Sequence, residues 1–565
     1  MEKMETRALL AIVLSIAVLV VFQHFFANQV PTTPHGVNGT NGSSVNSSSL
    51  SSDANNKNEA LQANSPGRKE EASLKELKEI GDLPKVDEVK GQDVVVETPL
   101  FKAVLSENGA AFKHFVLKKY RQTIEKDSPG VDLVNVNPPL LPLGVKIVSG
   151  GEIDLRGRYF KADKLSLALQ DGAAAETVRF VSQLGGDVTF TKTFTFYPDK
   201  YTIDFVMEIS GAGADKYTVF LYDKPYNEST RYIFSGPSYY SPSTGLEEIS
   251  LDKPGETHVY SGELDWLSYG DNYFMTALVP EDSKGPWDVR IALLNNDKLT
   301  ESTLSSQVKG QVKDGSITLC KMNIYIGPKE IERLKQVGHN LSKAINFGWF
   351  DPIAKPLLYL LNFMYKYVHN YGVCIILLTI FIKLLFWPLA HKSAQSMKTM
   401  QKLQPKLQKL KEKYGDDKER LNKELMQLYK TYKVNPMSGC LPMLLQIPVF
   451  FALYKVLLQA IELRHAPFML WINDLSAPDR LMIPGVEIPM VGGVPVLTLL
   501  MGASMYLQQK MSPSSLDPTQ AKMMQLLPIV FTFMFINFPS GLVLYWLVNN
   551  ILSIVQQYYV NKFTD

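Results

Sequence analysis

The chain has 565 residues, 45% of them hydrophobic, with a formal net charge of +2, so it is too long for one ordinary domain and its overall charge decides little. Three cysteines (Cys320, Cys374 and Cys440) form no even, regularly spaced set, which argues against a disulfide framework. Eight scattered histidines without HxxxH or HExxH spacing, and no CxxC pair, argue against a metal site.

The first predicted element is a membrane segment over residues 8–26. It is 19 residues long, with three polar residues, and is therefore long enough to cross a hydrocarbon layer of ~30 Å as a helix. A cleaved signal peptide is the alternative, because Lys3 and Arg7 precede the run. The apolar run exceeds the usual ~7–15 residues and lacks a small-residue cleavage site, so we favour an uncleaved signal anchor.

Residues 27–93 are predicted to be a flexible linker. Much of this stretch is rich in Ser, Asn and Gly, and such a composition buries too little apolar area to fold.

Residues 94–327 have the pattern of an all-β domain. In "YTIDFVMEIS" (201–210) apolar and mostly polar residues alternate, and "YPDK" (197–200) is typical of a hairpin turn. Many short strands of this kind indicate an antiparallel sandwich. A lectin-like or sugar-epimerase-like sandwich is one interpretation. A structural or docking domain is favoured, because no acid pair or histidine cluster stands out.

Residues 328–370 are predicted to form connecting and interfacial helices. The stretch 347–372 is apolar and aromatic but is interrupted by Pro352 and Pro356, and it carries Lys355 and Lys366. This composition favours a helix lying in the membrane interface, with an additional membrane span as the alternative.

Residues 371–560 are predicted to be a membrane core of five spans. The last two are separated only by Pro539 and Ser540, which indicates a tight helical hairpin. The predicted spans are 371–390, 439–463, 488–509, 522–538 and 541–560.

Basic residues predict the orientation of the core. The connection 391–436 carries twelve Lys and Arg residues, whereas 464–487 carries only Arg464 and Arg480. Positive loops stay in the cytoplasm, which places 391–436 inside and the β domain and 464–487 outside. With the N-terminal anchor this gives six spans, with both termini inside.

The inside connection 391–436 has a helical periodicity of its own. Apolar residues recur every three or four positions and are interrupted at "GDD" (415–417), which predicts an amphipathic helical hairpin. One interpretation is a self-packed, solvated coiled coil. The other is a docking arm for a ribosome, a targeting receptor or anionic lipid.

A lysine lies inside the apolar stretch "LLTIFIKLLFWPL" (377–389). Lys383 shares a helix face with Thr379, and the last span carries a polar stripe at helical spacing. Interhelical hydrogen bonds are one explanation, and a water-filled cavity is the favoured one because charge in a membrane is costly. The other polar residues of these spans are Gln446, Tyr545, Asn549, Ser553 and Gln556.

Four strings carry a family resemblance: "YKVNPMSGCLPMLLQIPVFFALYKVL" (432–457), "ELRHAPFMLWINDLSAPD" (462–479), "QQKMSP" (508–513) and "FPSGLVLYWLVNNI" (538–551). With them the chain resembles the Gram-negative branch of the YidC/Oxa/Alb family of membrane protein insertases over essentially its full length. The resemblance implies a signal anchor, a periplasmic β-supersandwich and a five-helix core with a cytoplasmic hairpin.

The resemblance also implies a mechanism, in which a polar client segment enters a groove that is open to cytoplasm and lipid. The client's apolar helix then slides out along the third and fifth of the six spans. The implied groove residues are those of the polar set together with Trp546. The implied slide residues are Ile447, Phe450, Met534 and Phe535.

The implied setting is the bacterial inner membrane, and the implied partners are nascent membrane proteins, the lipid bilayer, the Sec translocon, the ribosome and the signal recognition particle receptor. No DNA and no cofactor are expected. The family usually has arginine at the position of Lys383, and many relatives extend the C-terminus into a basic tail that is not seen after "VNKFTD".

Two other function classes predict different features. A channel or secondary transporter predicts repeated halves with paired broken helices, which are not found. A membrane-anchored periplasmic enzyme or carbohydrate-binding protein places its chemistry in residues 94–327. No Walker A loop, triad motif or zinc signature is visible, so a non-enzymatic role is expected.

Overall fold

A computed structural model of the chain describes residues 84–87, 89–225, 234–309, 312–313, 315–414, 417–432, 441–485, 491–511 and 518–563. The predicted membrane anchor at 8–26 and most of the predicted linker at 27–93 lie outside the described residues.

Strands occupy the described part of the chain from Asp93 to Pro328. In chain order they are β1 (Asp93–Glu97), β2 (Phe101–Ser106), β3 (Ala111–Arg121), β4 (Gly130–Asp132), β5 (Gly144–Val148), β6 (Glu152–Asp154), β7 (Lys161–Ala162), β8 (Ser166–Ala168), β9 (Glu176–Gly185), β10 (Val188–Phe196), β11 (Thr202–Ser210), β12 (Lys216–Asp223), β13 (Gly236–Ser241), β14 (Gly245–Glu248), β15 (Thr257–Gly262), β16 (Trp266–Gly270), β17 (Phe274–Pro280), β18 (Trp287–Leu293), β19 (Thr300–Gln307), β20 (Val312–Lys313) and β21 (Ser316–Pro328).

The strands form three sheets. Their orders are β4-β3-β2-β1-β8, β14-β13-β16-β17-β21-β11-β10-β9-β7 with β20 beside β21, and β15-β18-β19-β12-β5-β6. The strand pairs are antiparallel except that β1 pairs with β8 in parallel, which the purely antiparallel prediction missed. The all-β prediction for this region is confirmed.

Alternation along the strands creates the domain's core. Successive residues of β11 are alternately half-buried and buried, as the period of two predicted. The turn at 197–200 joins β10 to β11, and Phe194 pairs with Phe205 across them at a ring separation of 4.9 Å. Phe112 of β3, in a different sheet, meets Phe194 at 5.8 Å. Aromatic side chains therefore join two of the sheets into one core.

One lysine is buried at the centre of this domain. Lys192 of β10 is fully buried, and its ammonium donates hydrogen bonds to the carbonyl oxygens of Gly109 (2.7 Å), Leu143 (2.8 Å) and Ala110 (3.3 Å). Burial lowers the pKa of Lys192 to about 7. Its three acceptors belong to the backbone beside β3 and β5, so this side chain fastens the three sheets together.

Helices follow the β domain. In the described residues they are α1 (Ile331–Val337), α2 (Asp351–Val368), α3 (Tyr371–Tyr414), α4 (Lys418–Thr431), α5 (Leu441–Gln459), α6 (Val496–Met511), α7 (Pro518–Phe535) and α8 (Ser540–Phe563).

The helix α2 is amphipathic and uninterrupted. Ala354, Leu358 and Leu361 are buried on one face, while Phe363 and Tyr367 on another are exposed. The expected interruption by proline is wrong, because Pro352 lies in the first turn, where the backbone N–H has no intrahelical acceptor, and the helix runs on through Pro356.

Each of the five predicted spans overlaps a helix, although α6 begins at Val496, later than the predicted start at residue 488. The helix of the first span does not end at residue 390. The helix α3 is continuous for 44 residues and joins the apolar segment to the first half of the predicted cytoplasmic hairpin. In the described part of the chain, α3 alone is long and apolar enough to cross a membrane, and Gln446–Gln459 and Gln525–Phe535 are shorter apolar segments.

The second half of the hairpin is α4. Its N-cap is Asp417, whose carboxylate accepts a hydrogen bond from the Arg420 N–H. Met400 and Leu403 of α3 pack against Tyr429 of α4, so the two helices form the predicted hairpin. This second half of α3 together with α4 (residues 391–432) is called the arm below.

Arg464 connects the β domain to the helices. Its guanidinium donates to the carbonyl oxygens of Arg121 (2.8 Å) and Gln122 (3.2 Å) at the end of β3. It also lies over the rings of Phe274 and Tyr273, 5.5 and 5.9 Å from their centroids. Arg464 follows the helical turn Ile461–Leu463 after α5, so the β domain sits at the end of α5 remote from the arm.

Candidate functional site

The ammonium group of Lys383 is held between two helices. Its Nζ donates to Ser553 Oγ at 2.7 Å and to Asn549 Oδ1 at 3.2 Å. These two α8 residues are one turn apart, and the Ser553 hydroxyl in turn donates to the Asn549 carbonyl at 2.8 Å. The lysine of α3 and the polar stripe of α8 therefore form one hydrogen-bonded cluster. Lys383 is 166 residues from Asn549 and 170 residues from Ser553 in the sequence.

Thr379 lies on the same side of α3, one turn before Lys383, but does not join this cluster. It is 2% exposed, and its hydroxyl donates to the carbonyl of Ile375 in its own helix at 2.6 Å. A threonine bonded to the carbonyl four residues earlier satisfies its hydroxyl without a partner from another helix. The predicted shared face exists, but the Thr379 hydroxyl is directed along the backbone.

Tyr545 continues the polar stripe of α8 toward α5. Its hydroxyl accepts a long hydrogen bond of 3.4 Å from the Gln446 amide of α5, and Tyr545 is buried. Gln556, at the other end of the stripe, is also buried, and its Nε2 has no hydrogen-bond partner among the described residues. The stripe thus faces α5 at Tyr545 and α3 at Asn549 and Ser553.

A second polar contact of α8 was not predicted. Asn550 is buried on another face of the helix and donates from Nδ2 to Ser504 Oγ of α6 at 3.0 Å, and that hydroxyl donates to the Met501 carbonyl at 2.6 Å. The adjacent asparagines of "LVNNI" were the signal that could have identified it. This neutral contact is the helix-to-helix bonding expected in a membrane bundle.

Trp546 lies in an aromatic cluster rather than beside Lys383. Its ring lies 4.7 Å from Phe450 of α5, 5.0 Å from Phe535 and 5.9 Å from Phe531, both of α7. The cluster fills the space between α5, α7 and α8 next to Tyr545, whose ring is 6.5 Å from Phe450. It therefore forms an apolar wall beside the polar stripe.

The four predicted slide residues divide into two pairs. Ile447 and Met534 are exposed on the outer surfaces of α5 and α7, at 42% and 40%. Phe450 is half-buried and Phe535 is buried in the aromatic cluster. The first pair thus forms an exposed apolar surface, while the second pair packs beneath it in the aromatic cluster.

Polar side chains that sequence reasoning missed tie together the end of the bundle opposite the arm. Asp479 is 2% exposed, and its carboxylate accepts from Trp471 Nε1 at 2.6 Å and from the Thr498 N–H, near the start of α6, at 3.1 Å. Arg480 donates to the Ile536 carbonyl and to Asn537 Oδ1, both at 2.8 Å. The loop between α5 and α6 is thereby bonded to α6 and to the end of α7.

Close backbone approach completes the bundle. A Cβ on Gly502 of α6 would lie 2.0 Å from Thr532 Oγ1 of α7, so only glycine permits this packing. No group of three His, Cys, Asp or Glu side chains able to hold a metal ion occurs among the residues that the structure describes. The site therefore offers one cation, neutral polar groups and an apolar wall.

Known proteins and family models match nearly the whole chain. The family model described as YidC periplasmic domain matches residues 93–360, and that described as 60Kd inner membrane protein matches 363–565. The membrane protein insertase YidC of Syntrophus aciditrophicus is 41% identical over 571 residues, covering 99% of this chain and 100% of that protein. That of Syntrophobacter fumaroxidans is 44% identical over 483 residues, covering 83% of this chain and 86% of that protein. A crystal structure of an active YidC insertase with its first transmembrane domain resolved is similar at a TM-score of 0.36 and 19% identity, covering 87% of this chain and 97% of that one. The chain belongs to the YidC family of membrane protein insertases.

Proposed function

We propose that this chain inserts nascent membrane proteins into the bacterial inner membrane and assists their folding, by way of the polar cluster around Lys383. The proposal is carried by one observation: the Lys383 ammonium, in the apolar first half of α3, is hydrogen-bonded to the polar stripe of α8. A charge near the centre of a bilayer costs ~2.5–3.5 kcal/mol on insertion scales. Neutral pairs such as Asn550 and Ser504 already join helices here, so joining helices does not require that charge.

The proposed membrane placement sets α3, α5, α6, α7 and α8 across the bilayer with the arm in the cytoplasm and the β domain in the periplasm. Lys383 then lies seven residues inside residue 390, which is ~10 Å at ~1.5 Å per residue. Basic residues concentrated in the arm support this orientation.

In this placement the Lys383 ammonium attracts a polar or acidic client segment that enters from the cytoplasm. Asn549, Ser553 and Gln556 give that segment hydrogen-bonding partners and shorten the apolar path that it must cross. The network around Asp479 and Arg480 ties the bundle together on the periplasmic side. The polar cluster near the cytoplasmic side and the bonded loop on the periplasmic side together support a groove that opens toward the cytoplasm.

The client's own apolar helix supplies the driving force. The free energy falls when about 20 apolar residues leave the groove for lipid. The insertase therefore needs no nucleotide or cofactor. Ile447 and Met534 are the exposed apolar residues of α5 and α7 that such a helix would follow. The aromatic cluster of Trp546 forms the apolar wall behind these two residues.

The basic charge of the arm indicates which partners it contacts. The arm carries basic side chains on a helical hairpin, which suits a ribosome, the signal recognition particle receptor or anionic lipid on the cytoplasmic side. In this proposal the chain inserts its clients either alone or together with the Sec translocon. The β domain, on the opposite side, is assigned a structural or docking role.

The proposed function is tested by reconstitution. Proteoliposomes containing the purified chain should insert a single-span client synthesised outside them, as measured by protease protection of its translocated tail. Liposomes containing a chain without residues 100–310 should retain most of this activity, because the polar cluster lies entirely in the helices. Failure of the full-length chain to protect any client above empty liposomes would contradict the proposal.

A further inference from the structure

A cavity of about 150 Å³ lies at the junction of the β domain, the connecting segment and α5. It takes walls from all three parts of the chain, and it is separate from the cluster around Lys383. Its polar lining side chains are Ser238, Glu248, Asp271, Asn272, Lys329, Asn346, Lys455 and Gln459.

The cavity has a buried acidic wall. Asp271 is 7% exposed, and its Oδ1 accepts from the backbone N–H groups of Tyr273 (2.8 Å) and Phe274 (2.7 Å). Its Oδ2 is buried without a hydrogen-bond partner among the described residues. Buried carboxylate oxygens are normally bonded, so this oxygen has an unused acceptor position. Glu248, exposed in the structure, adds a second carboxylate to the lining.

The same cavity has a basic wall. Lys329 Nζ donates to the Asp271 carbonyl at 2.6 Å, which leaves further N–H groups of that ammonium. Burial lowers the pKa of Lys329, with the carboxylates of Asp271 and Glu248 acting in the opposite direction. Lys455 of α5 is a second cation in the lining. Two lysines and two acidic residues therefore line one small cavity.

The cavity lies where α5 leaves the bilayer in the proposed placement. Lys455 and Gln459 are one turn apart at the end of this apolar helix. Trp349, next to the lining residue Gly348, is 84% exposed, and Phe350 stacks on Phe451 of α5 at 5.7 Å. Aromatic side chains of this kind mark the level of lipid headgroups.

We propose that this cavity binds the phosphoethanolamine headgroup of a lipid in the periplasmic leaflet. The phosphate lies between Lys329 and Lys455, and the primary ammonium donates to Asp271 Oδ2 and to Glu248. An anionic headgroup without a cation offers no donor to either carboxylate. A choline headgroup has a cation but no N–H group to donate to Asp271. The inference rests on the membrane placement proposed above and assigns the chain a lipid that fixes the β domain against α5.

The test is lipid binding by the purified full-length chain after delipidation, measured by native mass spectrometry with phosphatidylethanolamine, phosphatidylcholine and phosphatidylglycerol. Phosphatidylethanolamine should bind in preference to the other two. Asp271→Asn keeps the Oδ1 acceptor, and Lys455→Met keeps the apolar stem. Each should weaken phosphatidylethanolamine binding roughly tenfold, as expected for one charge-assisted hydrogen bond. Lys366→Met, an exposed cation on α2, is the matched control and should leave it unchanged.

Three results would overturn the inference. These are equal binding of the three lipids, preference for phosphatidylglycerol, or unchanged binding by both cavity variants when circular dichroism shows them folded. Free phosphoethanolamine is tested separately by calorimetry, and binding as tight as that of the lipid would assign the cavity to a soluble ligand instead. Client insertion by the same preparations is scored independently, so failure of lipid binding is distinguishable from failure of the proposed insertase activity.

Discussion

Replacing Lys383 by methionine tests the charged site directly. Methionine retains most of the apolar stem and removes the ammonium that bonds Ser553 and Asn549. The Ser553 hydroxyl keeps its bond to the Asn549 carbonyl within α8 and so is not left unpaired. Trp387 of α3 still packs on Tyr559 of α8, with ring centroids 6.3 Å apart, so the two helices should stay together. We expect the variant to fold and to insert clients with acidic translocated tails slowly.

The size of the defect follows from the position of the charge. A carboxylate ~4 Å from an ammonium gains about 1 kcal/mol in bulk water and about 4 kcal/mol at an effective dielectric constant of 20. Lys383 is half-buried, which places it between these limits. A loss of about 1.4–2.8 kcal/mol corresponds to an initial insertion rate about 10- to 100-fold lower. Lys383→Arg retains the charge and should insert at nearly the normal rate.

The assay is protease protection in proteoliposomes, with two clients that differ only in whether the translocated tail carries aspartates or asparagines. The methionine variant should be defective with the acidic tail and much less so with the neutral one. Lys383→Glu should be worse than methionine with the acidic tail, because it adds repulsion. Equal insertion of both clients by wild type and Lys383→Met would show that the lysine only bonds helices, and would refute the charged-groove reasoning.

Four further predictions concern three other parts of the chain. Lys192→Met leaves three buried carbonyls without their donor and should destabilise the β domain by about 2–4 kcal/mol at pH 7, measured by hydrogen exchange of β10 amides. Because burial lowers the pKa of Lys192 to about 7, the unfolded chain binds more protons above that pH, so wild-type stability should rise from pH 7 toward 10 while the variant's stays flat. Gly502→Val places a side chain against Thr532 and should destabilise the helical bundle by about 1–3 kcal/mol through overpacking, seen as a lower melting temperature. Ala503→Val, at an exposed position, is the control and should leave the melting temperature unchanged. Replacing residues 397–432 by a flexible linker should sharply reduce insertion with the five core helices still assembled, and undiminished protease protection of the client would reduce the arm to a connector.

Periodic features of the sequence predicted the structure well. The alternation in residues 201–210 gave both the strand β11 and its buried face. On α8 the spacing of Asn549 and Ser553 placed them on one face, and their contact with Lys383 followed because a lysine in apolar surroundings needs polar partners.

Contacts between residues without a regular spacing in the sequence were not predicted. The helices α5 and α7 are apolar on several sides, so nothing in their spacing showed that Phe450 and Phe535 pack inward while Ile447 and Met534 face outward. Asp479 and Arg480 lie in an irregular loop, where partners are set by tertiary contacts alone. The helix of the first span runs on past residue 390, because a fall in hydropathy marks the membrane surface but does not end a helix.

The continuity of α3 gives the molecule a mechanical link. Roughly 45 Å of helix, at ~1.5 Å per residue, separates Lys383 from the tip of the arm at Tyr414, so a small tilt near the lysine sweeps the tip through a large arc. Pro388 and Pro405 each remove a backbone hydrogen bond from this rod and make it bend there first. The first of these weak points lies five residues beyond Lys383. Because Pro388 lies between Lys383 and the arm, a bend there lets the arm change direction while the part of α3 that bonds to α8 keeps its place.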